Sequence, residues 1–258
     1  MKRVVIVGGG NLAESVAVAI AQCPPVELVQ IYLRSKQRGE ELSELTAAPY
    51  ATFDEPLAAA DIYLLAVSDS AIGELSAKLD FAKGAVVAHT AGSTSIEAIS
   101  HELRRGVFYP MQTFTRSRRV DFSVIPVFLE ASDDSVMAEL KELANMLSST
   151  VVELDSDHRR RLHLSAVFVC NFVNAMMIAG EELVGESDLP FEILKPLIEE
   201  CCAKALSAHS PRDVQTGPAV RGDFATIEKH TSMLSNNEEL KQIYQTISKY
   251  IWETSKKI

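Results

Sequence analysis

The sequence predicts an α/β fold, with an N-terminal doubly wound Rossmann sheet followed by an all-helical C-terminal domain. Three observations carry this reading. A continuous β-branched run at residues 4–7 (VVIV) leads directly into three glycines and then a helical pattern. Apolar runs and helical segments then alternate as far as residue 154. From Asp155 onward the β-rich runs stop and helical periodicity takes over. The division into 1–154 and 155–258 rests on that change of period, since no Pro/Gly-rich or low-complexity linker marks it.

The elements follow in order. After Gly8, Gly9 and Gly10, apolar Leu12, Val16, Val18 and Ile20 make a helix that Pro24 and Pro25 stop. A second strand is expected at 28–33 (LVQIYL), a charged helix at 36–46, and strands at 50–53, 61–67 (DIYLLAV) and 85–89. Strands separated by helical segments imply parallel crossovers. After Gly106 the pattern loosens into extended runs at 107–109 and 126–130, then a helix at 133–147 and a closing strand at 151–154. Beyond it, helices are expected at 157–184, 190–208, 221–234 and 237–256, with Pro190 and Pro211 in the connections.

Composition narrows the function classes. The 258 residues, 47% apolar and 23% charged, can bury a sizeable core. Two basic residues and a few apolar ones precede the glycines, which is not a secretory h-region. The most apolar stretch, 166–180, is interrupted by Asn171 and Asn174 and reads as too short to span a bilayer. Cys23, Cys170, Cys201 and Cys202 lack metal spacing and read as reduced thiols, which points to a cytoplasmic protein. A net charge of −10 argues against a nucleic-acid platform. The basic runs at 116–119 and 159–161 read as solvated surface. The histidines lack H-E-x-x-H or comparable spacing, so no metal site is expected.

The glycine loop is the most specific motif. Gly8-Gly9-Gly10-Asn11-Leu12-Ala13 reads as G-x-G-x-x-A between a buried strand and a helix. That context suits a dinucleotide pyrophosphate: Gly8 allows the tight turn, Gly10 lets the backbone approach, and the free N–H groups at Asn11 and Leu12 face the phosphates. The end of the second strand selects the cofactor. NAD-binding domains place Asp or Glu there, whereas this chain has Arg34, Ser35 and Lys36, with Arg38 behind. A guanidinium fork, a hydroxyl and an ammonium attract a 2′-phosphate that a carboxylate would repel, which points to NADP. The fourth strand closes on Ala66, Val67, Ser68 and Asp69, the fifth on His89 to Ser93. Val67, Ser68, Ala91 and Gly92 are thus candidates to line the nicotinamide end of the crevice. Asp69 reads equally as the N-cap of the next helix.

These residues together resemble the superfamily of pyrroline-5-carboxylate reductases, ketopantoate reductases and deazaflavin-dependent NADP oxidoreductases, over nearly the whole chain. The likeness is strongest in GGGNLA, LRSK, LLAVSD and HTAGS. A closer resemblance is to uncharacterised bacterial members of that group, carried by the phrase at 108–114 (FYPMQTF) and that at 216–223 (TGPAVRGD). It implies NADP and a helical second domain that commonly mediates dimerisation, but no settled reaction. The distantly related β-hydroxyacid dehydrogenases carry Gly, Lys and Asn four residues apart on the helix that begins the second domain. Those positions here are His163, Val167 and Asn171, and no lysine occurs from Val151 to Leu194.

His163 shares an apolar helix face with Val167, Cys170 and Asn174, and Asn171 is rotated off it by about a fifth of a turn if the helix is regular. Histidine can donate a proton to a carbonyl or imine, and an amide can orient it. A hydrogen-bonded core histidine is the alternative. Arg221 is a candidate carboxylate clamp, or else an ion pair with Asp223 or Asp213. The function expected is NADP-dependent reduction of a small carbonyl or imine substrate in an interdomain cleft. Hydride exchange with a deazaflavin, or a non-catalytic NADP(H) sensor, stays open. The C-terminal helices carry exposed-looking Ile243, Tyr244 and Ile247, so a homodimer through them is expected.

Overall fold

Val4 to Val7 are buried without residue, and their side chains alternate between two separate cores. Val4 and Ile6 pack into one core, Val5 and Val7 into the other, as a strand covered on both faces requires. The computed structural model describes residues 1–116 and 118–256. This strand, β1 (Lys2–Val7), leads into α1 (Asn11–Ala21). Then follow β2 (Val26–Leu33), α2 (Lys36–Thr46), β3 (Tyr50–Thr52), β4 (Ile62–Leu65), α3 (Asp69–Lys78), β5 (Val86–His89) and β6 (Arg104–Pro110). The unit continues through β7 (Val127–Ala131), α4 (Asp134–Leu147), β8 (Val151–Glu153) and α5 (Ser156–Ala166).

The eight strands form one sheet in the order β3-β2-β1-β4-β5-β6-β7-β8, the doubly wound arrangement the sequence predicts. All neighbours pair in parallel except β6 and β7, whose antiparallel register runs from Gly106↔Ala131 to Pro110↔Val127. Among the described residues the connection between these two strands holds a short 3₁₀ turn, Phe122–Val124, and no helix of crossover length, where a parallel return needs a crossover. One face is covered by α1 and α4, the other by α3, whose Ile72 joins Tyr63, Leu65 and Val87. Strands are added outward in one direction from β1 and in the other from β4, which stay parallel, so their carboxyl ends open a crevice at the switch point.

Two compact units are separable, Met1–Asn171 and Phe172–Ile258. The change of period at 154 therefore precedes the division between compact units, and α5 belongs to the first. Beyond α5, a π turn at Val167–Asn171 continues into α6 (Phe172–Gly185), followed by α7 (Lys195–Ser207), α8 (Pro218–Arg221), α9 (Phe224–Met233) and α10 (Glu238–Ser255). The helix expected at 221–234 starts at Phe224 instead: Gly222 adopts φ +67°, which ends the short α8 before it, and Asp223 caps α9 through the Thr226 amide.

Ser156–Gly185 is helical throughout and, by length and composition only, long and apolar enough to cross a bilayer. The expectation that 166–180 is too short is corrected to this extent, because α5, the π turn and α6 run on without a break and an 18-residue apolar window fits within them. Among the described residues of the second unit, Ala219 and Leu234 are the only buried hydrophobics, while Leu183, Leu197, Leu206, Met233 and Tyr250 are exposed. Within this unit Phe224 meets Trp252 edge-on at 5.4 Å.

Candidate functional site

The crevice at the switch point has a volume of about 810 Å³ and lies wholly in the first unit. Gly8, Gly10, Asn11 and Leu12 line it from the end of β1, Arg34 from β2, Val67 and Ser68 from β4, Ala91 and Gly92 from β5. Gly8 sits at φ +133°, where a Cβ would stand 2.1 Å from the Ala66 carbonyl oxygen, so only glycine fits. A Cβ on Gly10 would meet nothing within 4 Å, which leaves its backbone open to an approaching group beside the α1 N-terminus. Those two properties suit the pyrophosphate of a dinucleotide. The loop is braced from behind by Arg38, whose Nε donates to the Gly9 carbonyl at 2.9 Å while its terminal nitrogens hold Glu41 and Glu14. Asn11 donates from Nδ2 to the Phe114 carbonyl at 3.0 Å, tying the loop to the FYPMQTF segment.

Of the three residues expected at a 2′-phosphate, Arg34 lines the crevice. Ser35 caps α2, its hydroxyl accepting the Arg38 amide at 3.3 Å, and neither it nor Lys36 is among the lining residues. Arg38, grouped with them by sequence, spends its charge on the two glutamates.

At the other end of the crevice, Asp69 is the first residue of α3 rather than its cap. Its carboxylate accepts from the Ser93 hydroxyl and, at 2.7 Å, from Thr94 Oγ1. Desolvation pushes this carboxyl up, but the two hydroxyl donors outweigh it and hold it below the usual range. His89 is fully buried beneath the same loop. Ala91 N–H donates to its Nδ1 at 3.2 Å, so Nε2 carries the hydrogen and donates to the Ser95 carbonyl, also at 3.2 Å. Burial, helped by the Arg159 charge, lowers its pKa from 6.5 to about 4. The unfolded chain takes up this proton near pH 6.5 and the folded chain near 4, so stability present above 6.5 is lost as the pH falls between them. At about 1.4 kcal/mol per unit the total is about 3 kcal/mol. Urea unfolding at pH 7 and 4.5 should show this loss in the native chain and a smaller one in His89→Gln; equal losses would show that His89 stays unperturbed.

Tyr109, at the end of β6, was read from sequence only as part of a family phrase, and it stands at the junction of two cavities. Its hydroxyl lies 3.2 Å from Nδ1 of His163 on α5. Both rings press on Gly92, where a Cβ would come within 2.6 Å of His163 Nδ1 and 2.8 Å of Tyr109 Cζ. The pair lines the crevice and also a second cavity of about 560 Å³ in the same unit, bounded by the FYPMQTF segment and the helix from Leu162 to Asn171. Asn171 lines this second cavity together with His163. A π turn winds less per residue than an α-helix, which offsets the rotation expected between the two. Burial pushes the Tyr109 phenol up, against the pull of Arg159, so the hydroxyl keeps its hydrogen.

Arg159 corrects the reading of 159–161 as solvated surface. Its side chain is fully buried one helical turn before His163, paired with Glu130 and donating to the Thr94 carbonyl and Ser156. Arg221 ends α8 in the second unit and is exposed. Asp223 nearby is held low first by the Thr226 hydroxyl and amide. His230, also in that unit, has Nδ1 2.8 Å from the Tyr244 hydroxyl. Among the described residues no group of three or more His, Cys, Asp or Glu is arranged to hold a metal.

A solved structure from Bacteroides fragilis, a "putative NADP oxidoreductase", is 38% identical over 98% of both chains, with a TM-score of 0.90. The chain belongs to the same family. A sequence family described as a domain of unknown function, DUF2520, matches residues 125–251. A protein of Thermotoga maritima is 21% identical over 98% of both chains, with a TM-score of 0.75. The 1-pyrroline-5-carboxylate reductase of Streptococcus pyogenes is 15% identical over 100% of this chain and 99% of its own, with a TM-score of 0.65. At these two identities the likeness is one of fold. No curated protein matches the sequence significantly.

Proposed function

We propose that the protein is an NADP-dependent oxidoreductase that reduces a small carbonyl or imine. The observation that carries this is the crevice itself. Gly8 is in a backbone state closed to other residues, Gly10 opens beside a helix N-terminus, and Arg34 is the cation at the far wall. These residues would hold the pyrophosphate and the 2′-phosphate, and the cofactor, when bound, supplies hydride chemistry. Family membership with the Bacteroides fragilis protein supports the same reading. The chain's own contribution is to orient the substrate, with Asn171 amide groups on one wall, and to deliver a proton through His163.

The cofactor choice is tested at Arg34. Losing a charge-assisted hydrogen bond costs about 1.5–3 kcal/mol. Arg34→Ala should therefore weaken NADPH by about tenfold to a hundredfold and leave NADH nearly unchanged, as read by nicotinamide fluorescence titration. Equal losses for both cofactors would mean that Arg34 does not read the 2′-phosphate. The assembly that fits the uncovered apolar helices of the second unit is a homodimer through those helices.

A further inference from the structure

We propose that the second cavity of the first unit is the binding site of a compact, uncharged carbonyl compound, and that Tyr109 Oη donates the hydrogen bond that holds its oxygen. This deepens the reading of the protein as a nicotinamide oxidoreductase and rests on it for the redox step. The cavity adjoins the cofactor crevice along one line of contact, formed by Tyr109, His163 and Gln112, which line both. Its remaining walls include Met111, Phe114, Leu162, Ala166, Val167 and Val169, a largely apolar lining of a cavity within the size range of small-molecule sites. No Lys or Arg is among the residues lining it, so a carboxylate there would lack the cationic partner that carboxylate sites supply.

The polar handle is specific. Tyr109 is 7% exposed, and its phenol meets His163 Nδ1 at 3.2 Å on one side while facing the cavity on the other. Burial keeps the hydrogen on Oη, the state required of a donor. Gly92 is what lets the two rings sit this close to the strand ends. A ketone held by this hydroxyl would accept the phenol hydrogen, as a proton, at its oxygen while its carbon gained the hydride that a bound reduced nicotinamide, losing two electrons, would supply. The C=O π bond would open to an alcohol, and the phenolate would be refilled from water through His163. His163 thereby acts one bond behind the donor, which refines its expected role as the terminal acid.

The experiment uses the full chain and cyclohexanone as the probe. Ligand-observed NMR should show saturable binding, weakened about threefold to tenfold in Tyr109→Phe, which deletes one hydrogen bond and little else. Ala166→Phe, which narrows the cavity from its apolar wall, should weaken binding at least as much. NADPH affinity, measured separately by fluorescence, should be unchanged in Ala166→Phe, a position outside the crevice lining. With NADPH and cyclohexanone together, Tyr109→Phe should lower kcat by about a hundredfold, as loss of a general acid does. His163→Asn should lower it too, and the double variant should fall no further than the deeper single one, the behaviour of two groups in one relay. Absence of saturable binding, or binding indifferent to both cavity variants, overturns the site. Binding with no NADPH oxidation, or an unchanged kcat in Tyr109→Phe, overturns the proton step. Failure of the wild-type chain to bind NADPH would instead sink the cofactor reading, and the NMR arm would still decide the cavity.

Discussion

Arg159→Ala is expected to destabilise the first unit by about 3–5 kcal/mol, the cost of breaking a buried ion pair from one side. The guanidinium is fully buried, and its partner Glu130 has only 15% of its side chain exposed. Removing the cation leaves the Glu130 carboxylate in a low-dielectric site with Ser156 Oγ, at 2.8 Å, as its remaining donor. The Thr94 carbonyl and the Ser156 hydroxyl also lose a donor. Arg159 Nε has no hydrogen-bond partner, so the network is not one in which every buried atom is satisfied. For that reason a double variant, Arg159→Met with Glu130→Gln, should recover part of the loss, since the expensive state is a lone buried charge rather than the absence of the pair. Urea unfolding of the two variants separates these effects. A loss below about 1 kcal/mol for Arg159→Ala would place the guanidinium in contact with water. The consequence reaches the site, because Thr94 also holds Asp69 and Arg159 precedes His163 by one turn on α5.

The parts of this arrangement that sequence displays are those fixed by local chemistry. The glycine loop, the strand run of Val4–Val7 and the tight turn at Gly8 depend on residues next to each other, and each appears where the pattern puts it. Arg34 is legible for the same reason, as the residue that follows the end of β2 beside the glycine loop. Tyr109 was not, because its partner is 54 residues away and only the meeting of β6 with α5 brings Oη to His163. Within the strand, Tyr109 looks like one more apolar position after Val107. Arg159 was misread because a run of three arginines has the composition of a solvated surface, and nothing local reveals that Glu130 waits beneath one of them. The π turn at Val167–Asn171 escapes any reading that assumes one fixed period, and it changes which side chains share a wall with His163. A signal that was available is the αL position at Gly222, since a glycine followed by Asp is a helix stop and then a cap.

The wild-type protein is expected to have the mass of two chains by light scattering at micromolar concentration, and charged residues on the exposed helix faces should split it. Two buried hydrophobics among the described residues of the second unit are too few to hold its five helices in place against chain entropy. Meanwhile the most apolar 18-residue window of the Ser156–Gly185 helix has none of its residues buried, and Leu197 on α7 is 67% exposed. Apolar surface on this scale in a folded chain marks a surface that another molecule covers. A second copy is the occupant that needs no further component, and a two-fold axis lets one apolar face cover its own equivalent. Burying a Val or Leu side chain contributes about 1.5–3 kcal/mol, and a two-fold axis counts each substitution twice. Val173→Glu combined with Leu197→Glu should therefore remove enough to give monomers, with a lower and concentration-independent thermal midpoint. The glycine-loop crevice lies in the other unit, so a monomer is expected to keep whatever cofactor affinity the wild type has if it stays folded there. A wild-type mass of one chain would remove the homodimer. A dimer that survives both substitutions would move the interface away from α6 and α7, to the face of α10 that carries Ile243 and Ile247.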